Sequence, residues 1–228
     1  MLSSETPRTG DPRARAAQTK RDRTRRALLD AADATFGSRG WARTRVEDIA
    51  AAAGVSAATA YNHFPSKHAL IGHVYRPLVL PLVVQAEHDV HDGRSVTDAL
   101  IDQVKALVRT ASRHRVLTAA FHAGVQDYTS RASASPRDDD DLDPRNLVPL
   151  PEALRILIEH GQRSGELRSY PPAADISSMI VELMLARGAT NPEEPAATTA
   201  ELLLTLLFGA LRPDMLAAND NQRPFRRR

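Results

Sequence analysis

Apolar residues recur three and four positions apart along most of the chain, and the stripes they draw predict helices. From Thr19 to Ser38, Leu28, Leu29, Ala32 and Phe36 fall on one face, with Gly40 as the stop signal. Val46, Ile49, Ala50 and Ala53 form a second, shorter stripe. Thr44 and Glu47 have the spacing of a capping box, so this helix is expected to start at Arg45 and to end at Gly54, the residue that takes left-handed backbone most readily. Ser56 is a good N-cap for a third helix, Ala57 to His63, closed by Pro65 because the residue before a proline avoids helical angles. Two short helices joined by a glycine turn make a helix-turn-helix unit, with Ala60 and Phe64 on its buried side.

The stripes continue. Ser66 caps a helix to about Val90 with Leu70, Ile71, Val74 and Leu78 inward; Pro77 and Pro81, each lacking a helical N–H, are expected to bend or break it, as a hinge or as a plain boundary. Ser95 caps the next helix, to about Ser112, and Arg115 to Tyr128 follows with Val116, Ala119, Ala120, Ala123 and Val125. Ser130 to Asp143, with four adjacent aspartates, reads as a solvated loop. Pro149 or Pro151 opens a helix ending at His160-Gly161, and two strongly apolar helices, Ala174 to Ala186 and Thr198 to Leu211, close the pattern. Residues 1–18 and the stretch beyond Pro213 show no apolar period and are expected to be disordered.

Composition narrows the class to all-α: 42% of the 228 residues are hydrophobic but only 4% aromatic, and the long Ala- and Leu-rich runs favour helix over strand. The expected division is a basic arm (1–18), a helix-turn-helix head (19–65), a helical body (66–212) and a tail (213–228). Net charge is only +2, yet Arg8, Arg13, Arg15, Lys20, Arg21, Arg23, Arg25 and Arg26 gather at the end that carries the head. The arm reads either as a solvated tail or as a source of further phosphate or minor-groove contacts. Without cysteine there is no disulfide and no thiolate chemistry, which fits a reducing cytoplasm. No secretory segment opens the chain, and the early apolar run Leu78 to Val84 is too short for a bilayer, so a cytoplasmic protein with no membrane partner is expected.

Ser56, Ala57, Thr59, Tyr61, Asn62 and His63 are hydroxyls, an amide, an imidazole and a methyl where an ordinary solvated helix would carry Glu and Lys. That set suits phosphates and base edges. Thr59, Tyr61 and Lys67 are candidate phosphate anchors, as are Arg25 and Arg26. Asn62, Tyr61, His63 and Arg45 are candidates for base readout, Ala57 offers only a methyl, and Thr44, at the start of the unit, is a further candidate DNA contact. Trp41 is expected to pack within the head.

Residues 24–71 resemble the DNA-binding domain of the TetR family of bacterial transcriptional regulators, at Phe36, Gly40, Thr44, Val46, Ile49, Ala50, Gly54, Val55, Ser56, Thr59, Tyr61, Phe64, Lys67 and Leu70. The remainder is similar only in being helical and of suitable length. The resemblance implies a homodimer on a palindromic double-stranded DNA operator, a small-molecule effector in the body, and repression relieved by that effector, with an activator or a ligand-independent repressor as variants. It implies an effector pocket to which Gln103, Phe121, His122, Gln126 and Tyr128 are the candidate contributors, and a dimer surface on the last two helices at Ile176, Ile180, Leu183, Leu202, Leu203, Leu206 and Leu207. A helical ligand-binding or adaptor protein that keeps the head without reading DNA is the alternative. No cofactor is implied. His88 and His91 with Asp92 lack a third convergent ligand, so no metal is expected, and no nucleophile elbow or phosphate-binding glycine loop points to an enzyme.

Overall fold

The computed structural model describes residues 12–131 and 142–212, and every regular element among them is a helix. In chain order these are α1 (Pro12–Arg39), α2 (Val46–Ala52), α3 (Ala57–His63), α4 (Lys67–His91), α5 (Val96–Arg113), α6 (Arg115–Arg131), α7 (Pro144–Leu147), α8 (Glu152–Ser164), α9 (Ala173–Thr190) and α10 (Ala196–Leu211). The aspartate run and the tail beyond Arg212 lie outside the described residues, as do positions 1–11 of the expected arm.

The head forms where Leu28, Ala32 and Phe36 of α1 share one core with Val46, Ile49 and Ala50 of α2 and with Ala60 and Phe64. Gly54, at φ +70, turns the chain between α2 and α3, where a side chain would be strained. Ser56 caps α3 as expected, its Oγ accepting from the Thr59 N–H at 3.1 Å. The capping box does not form. Arg45 is the N-cap of α2 with no side-chain cap bond. Thr44 is buried and its hydroxyl donates to the Gly40 carbonyl at 2.7 Å, closing the loop between α1 and α2.

Two expected boundaries move. α1 begins at Pro12, not Thr19, because proline is well tolerated in a first turn and the residues after it are sound helix formers. The expected disorder of residues 12–18 is therefore overturned. α8 runs through His160-Gly161 to Ser164, with Gly165 at φ +83 as its terminator. Gly161 is inside the helix for a packing reason: a Cβ there would lie 2.7 Å from Leu167 Cδ1 and 2.8 Å from Val96 Cγ1.

α4 is the axis of the body. It neither breaks at Pro77 nor at Pro81 and runs unbroken for 25 residues. Both prolines lie on its exposed side, so the N–H each lacks is missing from the solvent flank of the helix. By length and apolar composition α4 is able to cross a membrane. Here it is instead surrounded by α1, α5, α6, α7 and α8, with Leu70, Ile71, Val74, Tyr75, Val79 and Ala86 buried. Tyr75 stacks on Phe121 of α6 at 4.6 Å, and its hydroxyl pairs with that of Thr118 at 3.0 Å, so the buried oxygen is satisfied. α9 packs on α6 and α8 and α10 on α5, their junction held by Arg187 against Glu194 at 2.5 Å and by the Thr199 hydroxyl donating to the same carboxylate at 2.6 Å.

Candidate nucleic-acid interface

With Ala60 and Phe64 turned inward, α3 presents Ser56, Ala58, Tyr61 and Asn62 to solvent, with Ala57, Thr59 and His63 half-buried at the edges. Tyr61 is 43% exposed, although its hydroxyl reaches Glu47 of α2 at 3.3 Å. Partial burial, then the Glu47 carboxylate, holds that phenol above its ordinary pKa, so it remains a donor at neutral pH. His63 is held below its ordinary pKa, first by partial burial and then by Arg21 and Arg25. It is neutral at pH 7 and so offers a donor and an acceptor at the edge of α3, not a cation. Thr59 shares its hydroxyl with Ser56 at 2.9 Å. Arg45 and Arg26 are exposed, Arg45 lying 3.8 Å from Glu47.

Two expected phosphate anchors are engaged within the protein. Arg25 lies 4.4 Å over the Phe64 ring and donates to the His63 carbonyl at 3.3 Å, with His73 at 3.4 Å. It ties the end of α3 to α1 and α4. Lys67 places Nζ 4.0 Å over the Trp41 ring and donates to the Trp41 carbonyl at 2.5 Å. Burial lowers its pKa, with Asp127 pulling the other way. Trp41 itself packs in the head as expected, stacked 6.0 Å from Phe36 and tilted against His68 at 4.9 Å. Periodicity places Arg25 and Lys67 near α3 but carries no information on the ring and carbonyl partners that draw them inward.

The same junction joins head to body. His68 Nε2 meets Asp127 of α6 at 2.8 Å, and Arg131 meets that aspartate at 3.0 Å. Gly124 of α6 approaches so closely that a Cβ there would be 3.1 Å from the Trp41 ring.

Of the expected effector contacts, Phe121, His122 and Gln126 come together in a cleft of about 540 Å³ between α6, the α7–α8 connection and α9. Arg145, Ser178 and Glu182 line it too, and nothing in the spacing of a single helix announces them. Burial lowers the pKa of His122 against the pull of Glu182, so the ring is neutral at pH 7. Gln103 and Tyr128 are not in this cleft. Gln103 is buried, donating Nε2 to the Leu82 carbonyl of α4 at 3.2 Å, and Tyr128 stands edge-on to His68 at 5.3 Å. A larger groove of about 1000 Å³ lies between α5 and α10, floored by Ile101, Leu204 and Phe208 and rimmed by Lys105, Arg109 and Arg212.

The expected dimer residues divide. Ile176, Ile180, Leu203 and Leu207 are buried in the chain's own core, so they are not surface groups. Leu183 and Leu206 remain outward, with Met179 and half-buried Leu202 beside them. Both helices are apolar around most of their circumference, so their sequences do not separate the stripe facing inward from the one facing out.

Residues 28–74 match the model of the bacterial regulatory proteins of the tetR family. The HTH-type transcriptional regulator BetI of Agrobacterium fabrum (strain C58 / ATCC 33970) is 34% identical over 102 residues, 45% of this chain and 41% of that relative, so the match spans under half of the BetI chain. The fold is similar to that of Thermus thermophilus FadR, a TetR-family repressor solved with lauroyl-CoA (TM-score 0.65, 22% identity, covering 81% of this chain and 93% of that one). It is similar also to FadR of Bacillus subtilis solved with stearoyl-CoA (TM-score 0.59, 16% identity, 80% and 96% covered) and to NalD of Pseudomonas aeruginosa, the secondary repressor of an efflux pump (TM-score 0.59, 22% identity, 86% and 99% covered). The head thus matches the tetR family of bacterial regulatory proteins by its sequence, and the chain as a whole is similar in fold to solved TetR-family regulators.

Proposed function

We propose that the protein is a cytoplasmic, dimeric repressor that reads a palindromic operator through α3 and releases it when a small effector fills the cleft between α6 and α9. The observation that carries this reading is the solvent face of α3. Ser56, Ala58, Tyr61 and Asn62 are outward on a helix otherwise locked by Ala60, Phe64 and the Arg25 clamp, and that helix carries no acidic residue to repel a phosphate. Asn62 is the residue suited to pair with an adenine edge, a contact contributing about 1–3 kcal/mol of discrimination.

Two heads spaced by about one turn of B-DNA, roughly 34 Å, need a two-fold partner, and the outward Met179, Leu183, Leu202 and Leu206 supply an apolar face for it. For the effector, His122 and Gln126 are hydrogen-bonding groups beside apolar Phe121, Val125, Val181 and Leu185, with Arg145, Ser178 and Glu182 adding charge and polarity. The solved FadR relatives hold acyl-CoA, which makes amphipathic molecules the first class to try. α6 carries both the wall of the cleft and the Gly124, Asp127 contacts to Trp41 and His68, so a shift of α6 is felt by the head. The coupling is reciprocal: an effector that weakens DNA binding is itself bound more weakly by the DNA complex.

The test is equilibrium binding of the purified protein to the duplex upstream of its own coding sequence, against a scrambled duplex, at several salt concentrations. Preferential binding is expected, with Asn62→Ala losing preference at one base position per half-site. Equal binding to both duplexes at every salt would favour a helical ligand-binding or adaptor protein that keeps the head without reading DNA.

A further inference from the structure

We infer that the N-terminal half of α1 is a second DNA-contacting element, a basic helix that grips the phosphate backbone flanking the half-site read by α3. The inference rests on the reading proposed above. α1 begins at Pro12, ahead of the matched residues 28–74. Ahead of Arg25 it carries Arg13, Arg15, Lys20, Arg21 and Arg23, with Asp22 as the only acid, and Gln18 holds that carboxylate at 2.8 Å.

This first half of α1 has no core to join. Its apolar residues are alanines, and the side chains of residues 15–23 are exposed. The cations are spread around the whole circumference, so no rotation of the helix buries an apolar stripe. Like charges three and four apart, as at Lys20 and Arg23, oppose the helix unless a counter-charge is supplied. A duplex supplies one negative charge per about 1.7 Å of its axis.

Placement matches charge. Arg25 bonds the His63 carbonyl at the C-terminal end of α3, and Arg21 lies one turn earlier on the same side of α1. The helix therefore leaves the head beside the reading helix. From Arg21 back to Arg13 it extends roughly 12 Å, which covers about three to four base pairs beyond the half-site.

The experiment is the salt dependence of DNA binding by the full chain and by the triple variant Arg15→Gln, Lys20→Gln, Arg23→Gln, on the selected operator and on random duplex. If each cation meets one phosphate, the slope of log K against log salt falls by roughly 5 units in a dimer, at about 0.9 per phosphate. Affinity drops by the same factor on both duplexes, and the melting temperature is unchanged. Trimming about four base pairs from each flank should erase the difference between wild type and variant. Arg15→Lys with Arg23→Lys should keep the slope, since charge alone is read. A wild-type protein that binds duplex with a slope the triple variant shares would overturn this inference and leave the proposed function standing; a wild type that binds no duplex overturns both.

Discussion

Arg25→Ala separates two roles for one cation. A phosphate contact would face the duplex, but the structure has the guanidinium 4.4 Å over Phe64 and donating to the His63 carbonyl at 3.3 Å. A cation over a partly desolvated ring contributes about 0.5–2 kcal/mol. A charged donor on a carbonyl contributes about 1.5–3 kcal/mol at good geometry, and the long 3.3 Å separation with half-burial brings it to about 1 or less. Removing both should cost about 1–2 kcal/mol, a fall in melting temperature of roughly 2–8 °C for a chain of this size. The assay pairs thermal unfolding with DNA binding across salt. The expected result is a lowered melting temperature and weaker binding through a loosened α3, with the salt slope kept. An unchanged melting temperature together with a slope reduced by about 0.9 per protomer would refute the clamp and restore Arg25 to the phosphates.

Lys67→Met should likewise lower stability and shift the emission of Trp41, the only tryptophan, with no change in salt slope; a flattened slope would make Lys67 a phosphate anchor after all. Gly161→Ala forces a methyl against Leu167 and Val96, costing about 1–3 kcal/mol of strain against about 1 kcal/mol of gained helix propensity, so the denaturant midpoint should fall and a rise would contradict the packing. Leu206→Glu, at a site 45% exposed, should give a folded monomer by sedimentation, whereas Leu203→Glu, at 1% exposed, should unfold the chain; a dimeric Leu206→Glu protein would move the interface elsewhere. His73 is held below its ordinary pKa of 6.5 by burial, then by Arg25 and Arg76. The unfolded chain therefore takes a proton near pH 6.5 that the folded chain refuses, so stability should fall as pH drops through that value, and His73→Gln should shrink the loss.

The helical class and the helix-turn-helix were legible because they rest on local signals: stripes at helical spacing, Gly40 and Gly54 at positive φ, and Ser56 and Ser66 as caps. What was not legible depends on tertiary neighbours. Thr44 reads as a cap until the loop after Gly40 claims its hydroxyl. Gln103 reads as a pocket group until the Leu82 carbonyl, twenty-one residues away in sequence, takes its amide. Gly161 reads as a helix stop because only the fold shows Leu167 and Val96 against it. Pro77 and Pro81 read as a bend or a break, and on the exposed side of a helix packed on its other faces they do not break it. The cleft was half legible: Phe121, His122 and Gln126 share one face of α6, but Arg145, Ser178 and Glu182 arrive from other elements.

The most direct test of the central claim, that α3 is held out to a duplex groove and reads it, is selection from a pool of random duplexes by the purified full-length protein. Enrichment of an inverted repeat with half-sites about one helical turn apart, one base position of which loses its preference with Asn62→Ala, is the predicted result. Recovery of a pool no different from the starting one, by protein that is folded and dimeric, would contradict it.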